Sequence, residues 1–409
     1  MQRACRGLAR AATAAVSGAG PAAASSRAAA AATAAAAPGD VQPPSASGAL
    51  SSAAHSSRAA NSEPTSGCDT PRRWLSTGRA HGGSVTAGLA QRAEEAAWRG
   101  ADISPASLVH PSARIGAGAS VGPFCSIGPG VSIGEGCRLM GHNVLMGHTV
   151  LGANNTLRQG AIIGSEDPGQ TIIGEGNTFG HHSVVGARCQ DLKSSPHAEC
   201  SLRIGDGNDI REFVGIHRSS TRESETRIGN SNLIMGGCHV AHDVHMGSHN
   251  IVGNNSLFAG HVLLGDYVRV SGACAVQPRV VLGSYAYLTG GSMVDRDVPP
   301  FTIVQGDRAM VRGLNEVLMS RCGFSVAEKH DVRAAFQALW GEGEGTYSGL
   351  QLRAAQLLRC RDFGPHARQL LMFVCESLSQ SRSSGRVGAV CHLMSRCDAH
   401  AAAAHRGPP

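Results

Sequence analysis

A six-residue beat constrains this chain more than any other feature. Counting from Val109, an aliphatic residue recurs at Ile115, Val121, Ile127, Ile133, Leu139, Leu145, Leu151, Leu157 and Ile163. After one break the beat returns at Ile173, Phe179 and Val185, and after a second at Ile204, Ile210 and Ile216. It then runs unbroken from Ile228 to Val294. Gly follows many of these residues, as in Ile115-Gly116 and Ile133-Gly134.

A helix would repeat near 3.6 residues and a flat strand at 2, so neither explains a period of six. Hexapeptide repeats mark a parallel β-helix, in which each short strand sends one aliphatic side chain inward and then turns a corner. Three hexapeptides close one triangular coil, and the in-phase positions imply about nine or ten coils. Gly and Asn supply the backbone freedom of tight corners, and Gly152-Ala153-Asn154-Asn155 and Gly253-Asn254-Asn255 fit that role. Aromatics at 4% and 53 Gly agree with small repeated corners in place of a bulky core. The expected fold is an all-β, left-handed parallel β-helix over residues 101–306, followed by an α-helical domain over 307–380.

The ends differ from the middle. Residues 1–100 are rich in Ala, Ser, Pro and Gly, and the first acid is Asp40, after Arg3, Arg6, Arg10 and Arg27. An Arg-bearing, acid-poor leader without a long apolar run reads as an organelle transit peptide. Arg72-Arg73-Trp74-Leu75-Ser76-Thr77 resembles a mitochondrial processing site, so mitochondrion is expected, with plastid as the alternative. No stretch is long and apolar enough for a transmembrane segment. Beyond the repeat, Ser325 and Glu328 have capping-box spacing. Apolar residues then follow at helical intervals: Val332, Ala335, Phe336 and Leu339, then Leu350, Ala354, Leu357 and Leu358, then Leu370, Leu371, Val374 and Leu378. Residues 381–409 read as a low-complexity tail. The 13 Cys contain no CxxC pair, which argues against a zinc site or a disulfide framework. The net charge of +6 comes partly from the leader and does not point to nucleic acid.

Two places could carry chemistry. In the break after Val185, Asp191 falls by count on an inward position, where a lone carboxylate would be costly. The chain is therefore expected to leave the wall as a loop presenting Gln190, Asp191 and Lys193. Such a loop could hold a sugar and phosphates, or could be plain solvated surface. The second place is Cys238-His239-Val240-Ala241-His242-Asp243. Val240 points in, so His239 and His242 face out. His261 lies one coil further on the same wall. Two stacked His beside a carboxylate could form a general base with its orienting partner, could bind a metal, or could be ordinary exposed His. The spacing matches no recognised metal-ligand motif, so no metal and no cofactor is expected.

At these residues the chain resembles the UDP-N-acetylglucosamine O-acyltransferases that begin lipid A biosynthesis, in the form found in plants and algae. The resemblance covers residues 103–325. It rests on Gly180-His181-His182, Cys189-Gln190-Asp191-Leu192-Lys193, Asn208-Asp209-Ile210-Arg211-Glu212, Ile216-His217-Arg218 and His239-Val240-Ala241-His242-Asp243. Ala259-Gly260-His261, Asp297-Val298-Pro299-Pro300, Gln305-Gly306, Leu314-Asn315 and Arg321 before Gly323-Phe324-Ser325 complete it.

The resemblance implies transfer of a 3-hydroxyacyl group from acyl carrier protein to the 3-hydroxyl of UDP-N-acetylglucosamine, in a homotrimer. It implies His242 as general base and Asp243 as its orienting partner. Gln190, Asp191, Lys193, His239, His261, Gln277, Asn315 and Arg321 match substrate-binding positions, with Arg321 aimed at phosphate. Gly290 matches the position that limits acyl-chain length. Because the carrier is acidic, Arg308, Arg312 and Arg321 are the expected docking cations. Three departures stand out. Gln277-Pro278-Arg279 replaces His-Gln-Phe, Val317 replaces an acid, and Cys322 replaces a polar or basic residue. The segment between Ser165 and Gly186 adds about one coil to the bacterial pattern. Two other readings are open. The related N-acyltransferase would carry an extra uridine-binding domain at its N-terminus. A non-catalytic scaffold of the carbonic-anhydrase-like type would carry metal-ligating His and no helical tail.

Overall fold

The hexapeptide residues form a parallel β-solenoid. The computed structural model describes Trp98, residues 100–340 and residues 347–379. The expected leader, its processing site at 72–77 and the tail from 381 lie outside the described residues. Short strands, most of two residues, stack into three walls of 12, 10 and 9 strands. The first wall starts at Asp102–Ile103, the second at Leu108–Val109 and the third at Arg114–Ile115. Neighbours within a wall are parallel, and an uninterrupted coil takes 18 residues, as in Ser120↔Arg138 (138 − 120). Every inward position from Ile115 to Val294 is buried. The first wall has one coil more than the beat suggests at its far end, where Thr302–Gln305 pairs in parallel with Tyr287–Leu288.

The corners explain the sequence pattern. The third residue after an inward one adopts a left-handed backbone at corner after corner, as at Asn154 (φ 58°), Asp243 (φ 59°), Asn255 (φ 57°) and His261 (φ 64°). Glycines after inward residues answer a different need. A Cβ on Gly116 would sit 2.6 Å from the backbone nitrogen of Glu135 in the next coil. At that spacing coils stack only where no side chain intervenes.

Inside the edge between the third and first walls runs a ladder of buried asparagines: Asn155, Asn177, Asn208, Asn232 and Asn250. The steps from Asn155 to Asn232 are each knit twice, and the last, Asn250 to Asn232, once through Asn250 N (2.9 Å). Asn208 donates Nδ2 to Asn177 Oδ1 (2.9 Å) and to the Gly229 carbonyl (3.0 Å). Its own Oδ1 accepts from Asn232 N and Nδ2, both at 2.9 Å. Except at Asn250, whose Nδ2 finds no partner among the described residues, the ladder's side chains are satisfied from within the coil stack.

Both described ends of the solenoid are capped, as stacked repeats require. Trp98 Nε1 donates to the Ala113 carbonyl (2.9 Å) at one end. At the other, Met310–Leu314 pairs antiparallel with Thr302–Gln305 and closes the first wall. Four helices follow: α1 (Glu316–Arg321), α2 (Val326–Trp340), α3 (Tyr347–Cys360) and α4 (Pro365–Ser379). The expected capping box is in place, with Ser325 N and Oγ donating to Glu328 Oε2 (both 2.8 Å) and Glu328 N donating to Ser325 Oγ (3.2 Å). Val332, Ala335, Leu339, Leu350, Ala354, Leu370, Leu371 and Val374 form one buried cluster. Ser377 Oγ on α4 donates to Asp297 Oδ2 (2.7 Å), whose Oδ1 accepts from Val281 N (2.8 Å) on the third wall. The short helix α1 had no signal in the apolar periodicity. Asn315 caps it by accepting from Leu318 N (3.3 Å).

Candidate active site

All three interruptions of the beat leave the solenoid at one edge, between the second and third walls. Residues 165–168 follow the second-wall strand Ile162–Gly164, residues 188–199 follow Val184–Ala187, and residues 218–225 follow Gly215–His217. The 188–199 loop lengthens its coil to 31 residues between the partners Thr178 and Asp209 (209 − 178). Asp191 is thus carried off the wall, as its cost on an inward position requires. Gln190 and Lys193 are exposed and Asp191 is half-buried, with Asp191 Oδ1 accepting from Lys193 N (2.9 Å).

On the coils beyond these loops, the same edge carries Asp243, His261 and Arg279, spaced 18 and 18 residues apart (261 − 243, 279 − 261). All three hold left-handed corner backbones, so coil register stacks them. His242 Nδ1 lies 2.7 Å from Asp243 Oδ2, and His261 Nδ1 lies 3.6 Å from the same oxygen. The two imidazoles meet edge to face, with centroids 5.1 Å apart. Gly260 makes this possible, because any Cβ there would collide with the His242 ring. His239 flanks on the second wall, half-buried, with its ring centroid 4.9 Å from that of His217.

The electrostatics follow from burial and partners. Burial acts to raise the Asp243 carboxyl, but hydrogen bonds from His242 and Ser220 outweigh it and hold the group well below the usual carboxylate range. A carboxylate that is ionised and 4% exposed fixes Nδ1 of His242 as a donor and leaves Nε2 as an acceptor. That Nε2 has no hydrogen-bond partner among the described residues. Burial pushes His239 down, helped by the positive charge His217 and His242 would carry. Burial likewise pushes His261 down, against the pull of Asp243. Buried thiols at Cys189 and Cys200 are raised, first by desolvation, so neither offers a ready thiolate.

The ligand atoms of His242, Asp243 and His261 all fall within 4.8 Å of one another. Two ring nitrogens and the Ser220 hydroxyl nevertheless converge on the single oxygen Oδ2. Of these three, the His242 nitrogen and the Ser220 hydroxyl lie at hydrogen-bond distance.

Along the second wall from this edge lies a groove of roughly 720 Å³. His239, Ala259 and Gln277 line it together with the apolar Leu257, Ala275, Pro278 and Met293. Asp307 and Arg308 stand at its margin. Its size is that of a small-molecule site. Gly290 sits exposed at the edge between the first and second walls, with only Gly272 and Ser271 near a would-be Cβ, at 3.7 and 3.9 Å.

Of the residues singled out in sequence, this one edge gathers Gln190, Asp191, Lys193, His239, His242, Asp243, His261 and Gln277. It does not gather Gly290, which lies between the first and second walls, nor the other two. Asn315 donates Nδ2 to the Tyr285 carbonyl (3.0 Å) at the edge between the third and first walls. Arg321, exposed on α1, lies near Arg269 of the first wall. Ser220, Thr226 and Gly260 were not singled out as part of the site, although each shapes the His242–Asp243 pair. Thr226 Oγ1 accepts from Asp243 N (2.8 Å).

Comparison with known proteins places this geometry. Residues 297–384 match the family model described as UDP N-acetylglucosamine O-acyltransferase, domain 2, and residues 225–260 match bacterial transferase hexapeptide repeats. The chain is 41% identical over 233 residues to a probable mitochondrial acyl-[acyl-carrier-protein]–UDP-N-acetylglucosamine O-acyltransferase of Arabidopsis thaliana, covering 56% of this chain and 69% of the relative. It is 34% identical over 220 residues to the corresponding enzyme of Gloeothece citriformis, covering 54% of this chain and 77% of that one. The crystal structure of Arabidopsis UDP-N-acetylglucosamine acyltransferase superposes with a TM-score of 0.68 at 42% identity, covering 71% of this chain and 99% of that structure. With a hexapeptide solenoid, a helical cap and this degree of identity over more than two thirds of a relative, the chain belongs to the UDP-N-acetylglucosamine O-acyltransferase family of acyltransferases.

Proposed function

We propose that this chain transfers a 3-hydroxyacyl group from acyl carrier protein to the 3-hydroxyl of UDP-N-acetylglucosamine, the opening step of lipid A-type synthesis, with His242 as general base. The single observation that carries the reading is the 2.7 Å contact of His242 Nδ1 with an ionised, buried Asp243, on the same edge as His239 and Gln277, which line the groove. A sugar hydroxyl is a poor nucleophile near neutral pH, and a positioned imidazole supplies what it lacks. Nε2 takes the proton as the hydroxyl oxygen attacks the thioester carbonyl. The tetrahedral centre collapses, the carbon–sulfur bond breaks, and the imidazolium returns the proton to the departing thiolate. Asp243 orients the ring and stabilises its charged form.

Gln190, Asp191 and Lys193 then contact the nucleotide sugar from the 188–199 loop, with His239, His261 and Gln277 around the reacting groups. The apolar lining of the groove takes the acyl chain, and an open Gly290 leaves room for a longer one. Asn315 and Arg321 bind nucleotide and phosphate from the edge of a neighbouring subunit in a homotrimer. Two things support the trimer: the separation of these residues from His242 within one chain, and the apolar outer face of the second wall, where Leu108, Val184, Leu257 and Met293 are exposed. The residues reach one substrate when one subunit's edge lies against the next subunit's wall. An organellar site, in our reading the mitochondrion, is supported by the name of the Arabidopsis relative and by the Arg-bearing leader.

The direct test is acyl transfer by the purified protein from 3-hydroxyacyl carrier protein to UDP-N-acetylglucosamine. Product should form only with both substrates present. A folded protein that makes none would sink the reading and point to the departures at Gln277 and Val317. Charge reversal of the exposed Arg308 and Arg312 to Glu should raise KM for the carrier about tenfold or more at low salt while leaving KM for the nucleotide sugar in place. Unchanged carrier kinetics would remove both from the docking surface.

A further inference from the structure

Three loops converge near Asp243, and one of them, braced by the other two, bonds to its carboxylate. Arg218, 1% exposed, reaches inward from the 218–225 loop. Its Nε donates to Thr171 Oγ1 (3.0 Å) and its Nη1 to the Asp167 carbonyl (3.0 Å) of the first loop. Ser219 Oγ, fully buried, accepts from Ser201 N (2.9 Å) and donates to the Thr221 carbonyl (2.9 Å). From the 188–199 loop, Ser194 Oγ donates to the Ser220 carbonyl (2.7 Å). The backbone of Ser220 is therefore held on both sides. Its side chain and its N–H both point at one target, with Oγ donating to Asp243 Oδ2 (2.6 Å) and N donating to Oδ1 (3.1 Å).

We propose that Ser220 is a positioning residue of the acyltransferase, setting the Asp243 carboxylate in the plane from which it accepts the His242 Nδ1–H hydrogen bond and tying that setting to the 188–199 loop through Ser194. This rests on the reading of His242 as general base. Without Ser220, the neutral ring of His242 is the one side-chain donor left within 3 Å of Oδ2, with His261 3.6 Å away and the Ser224 hydroxyl also acting on the carboxylate. The carboxylate could then turn toward His261, which already lies 3.6 Å from it. Two-point donation from Ser220 opposes that rotation. Donation to an ionised acceptor is about twice as strong as donation between neutral groups, so the restraint is a stiff one.

The charged and titratable groups around the carboxylate are named by their neighbours. His242 and His261 face it directly, and Cys189 and Cys200 approach from the loop side, with Arg218 beyond Cys200. His217 and His239 lie beyond His242, and Asp191 and Arg279 beyond His261. None of these replaces the Ser220 hydroxyl, because none donates to Oδ2 from its side.

The test is the pH profile of kcat/KM for Ser220→Ala and Ser220→Thr, alongside thermal melting of each. Removing one donor leaves the carboxylate holding a protonated imidazole more tightly. The acid limb of the Ala variant should move to higher pH by roughly half a unit to one unit. Its kcat near neutrality should fall about tenfold, with KM for the nucleotide sugar little changed. Thr, which keeps the hydroxyl, should restore both the limb and kcat. An Ala variant with the parent's kcat and limb overturns the proposal. So does a loss that is uniform across pH, or a Thr variant that behaves like Ala, since those mark a merely structural role. Full activity in His242→Ala would instead overturn the base assignment, whatever Ser220 does.

Discussion

Replacing His242 with Ala is expected to lower kcat by about a hundredfold or more, the usual contribution of a general base. The reason lies in the pairing. Asp243 holds Nδ1 at 2.7 Å and leaves Nε2 free, and no other described imidazole at this edge is paired with a carboxylate at hydrogen-bond distance. His261 is the nearest imidazole, but it lies 3.6 Å from the carboxylate and is 35% exposed. His239 is held toward neutrality by burial, without a carboxylate at hydrogen-bond distance. Neither should substitute. KM for the nucleotide sugar should change much less than kcat, because the lost interaction acts on the hydroxyl proton in the transition state. A His242→Ala protein that melts like the parent and keeps a tenth or more of its turnover would remove His242 from the base role.

Asn208→Ala should be the most damaging single truncation in the solenoid outside the aliphatic ladder. Asn208 donates to Asn177 Oδ1 and the Gly229 carbonyl and accepts from two nitrogens of Asn232. Truncation strands these partners in a corner closed to water. Each buried group left unsatisfied costs about 1–3 kcal/mol, so a loss on the order of 3 kcal/mol or more is expected. Asn254, exposed at a corner, is the control, and Asn254→Ala should stay within about 0.5 kcal/mol. Thermal or urea unfolding of the two variants settles the comparison. Equal midpoints would mean that the ladder is not what holds the coils in register.

The site was partly written in the chain. Asp243 and His261 are 18 residues apart, and a period of 18 is one coil, so their contact could be counted from sequence. The pairing of His242 with its own neighbour Asp243 was equally legible. A further signal was present but not read. The breaks after Ile163, Val185 and Ile216 all follow second-wall positions, so all three loops had to leave at one edge. Ser220 could not be found in this way. It lies inside a break, where the beat lapses, and only the path of the loop decides what its hydroxyl meets. Gly260 was quoted for its motif, but its reason is steric, since the room its missing Cβ leaves is filled by the ring of His242 from the coil before.

The hexapeptide period by itself determined the solenoid, its inward ladder and the residues at each corner, because register in a stacked repeat is a counting rule. The helical intervals beyond Ser325 determined three of the four helices for the same reason: local periodicity is a one-dimensional property. Tertiary structure alone decided which side chains share an edge across irregular loops, that Arg218 and Ser194 meet around Ser220, and that Asn315 and Arg321 stand on a different edge from His242. Those relations depend on where a chain goes after it leaves the repeat. Away from the repeat, hydrogen bonds between residues far apart in sequence, such as Arg218 to Asp167 (51 positions) and Ser220 to Asp243 (23 positions), replace counting as the rule of placement.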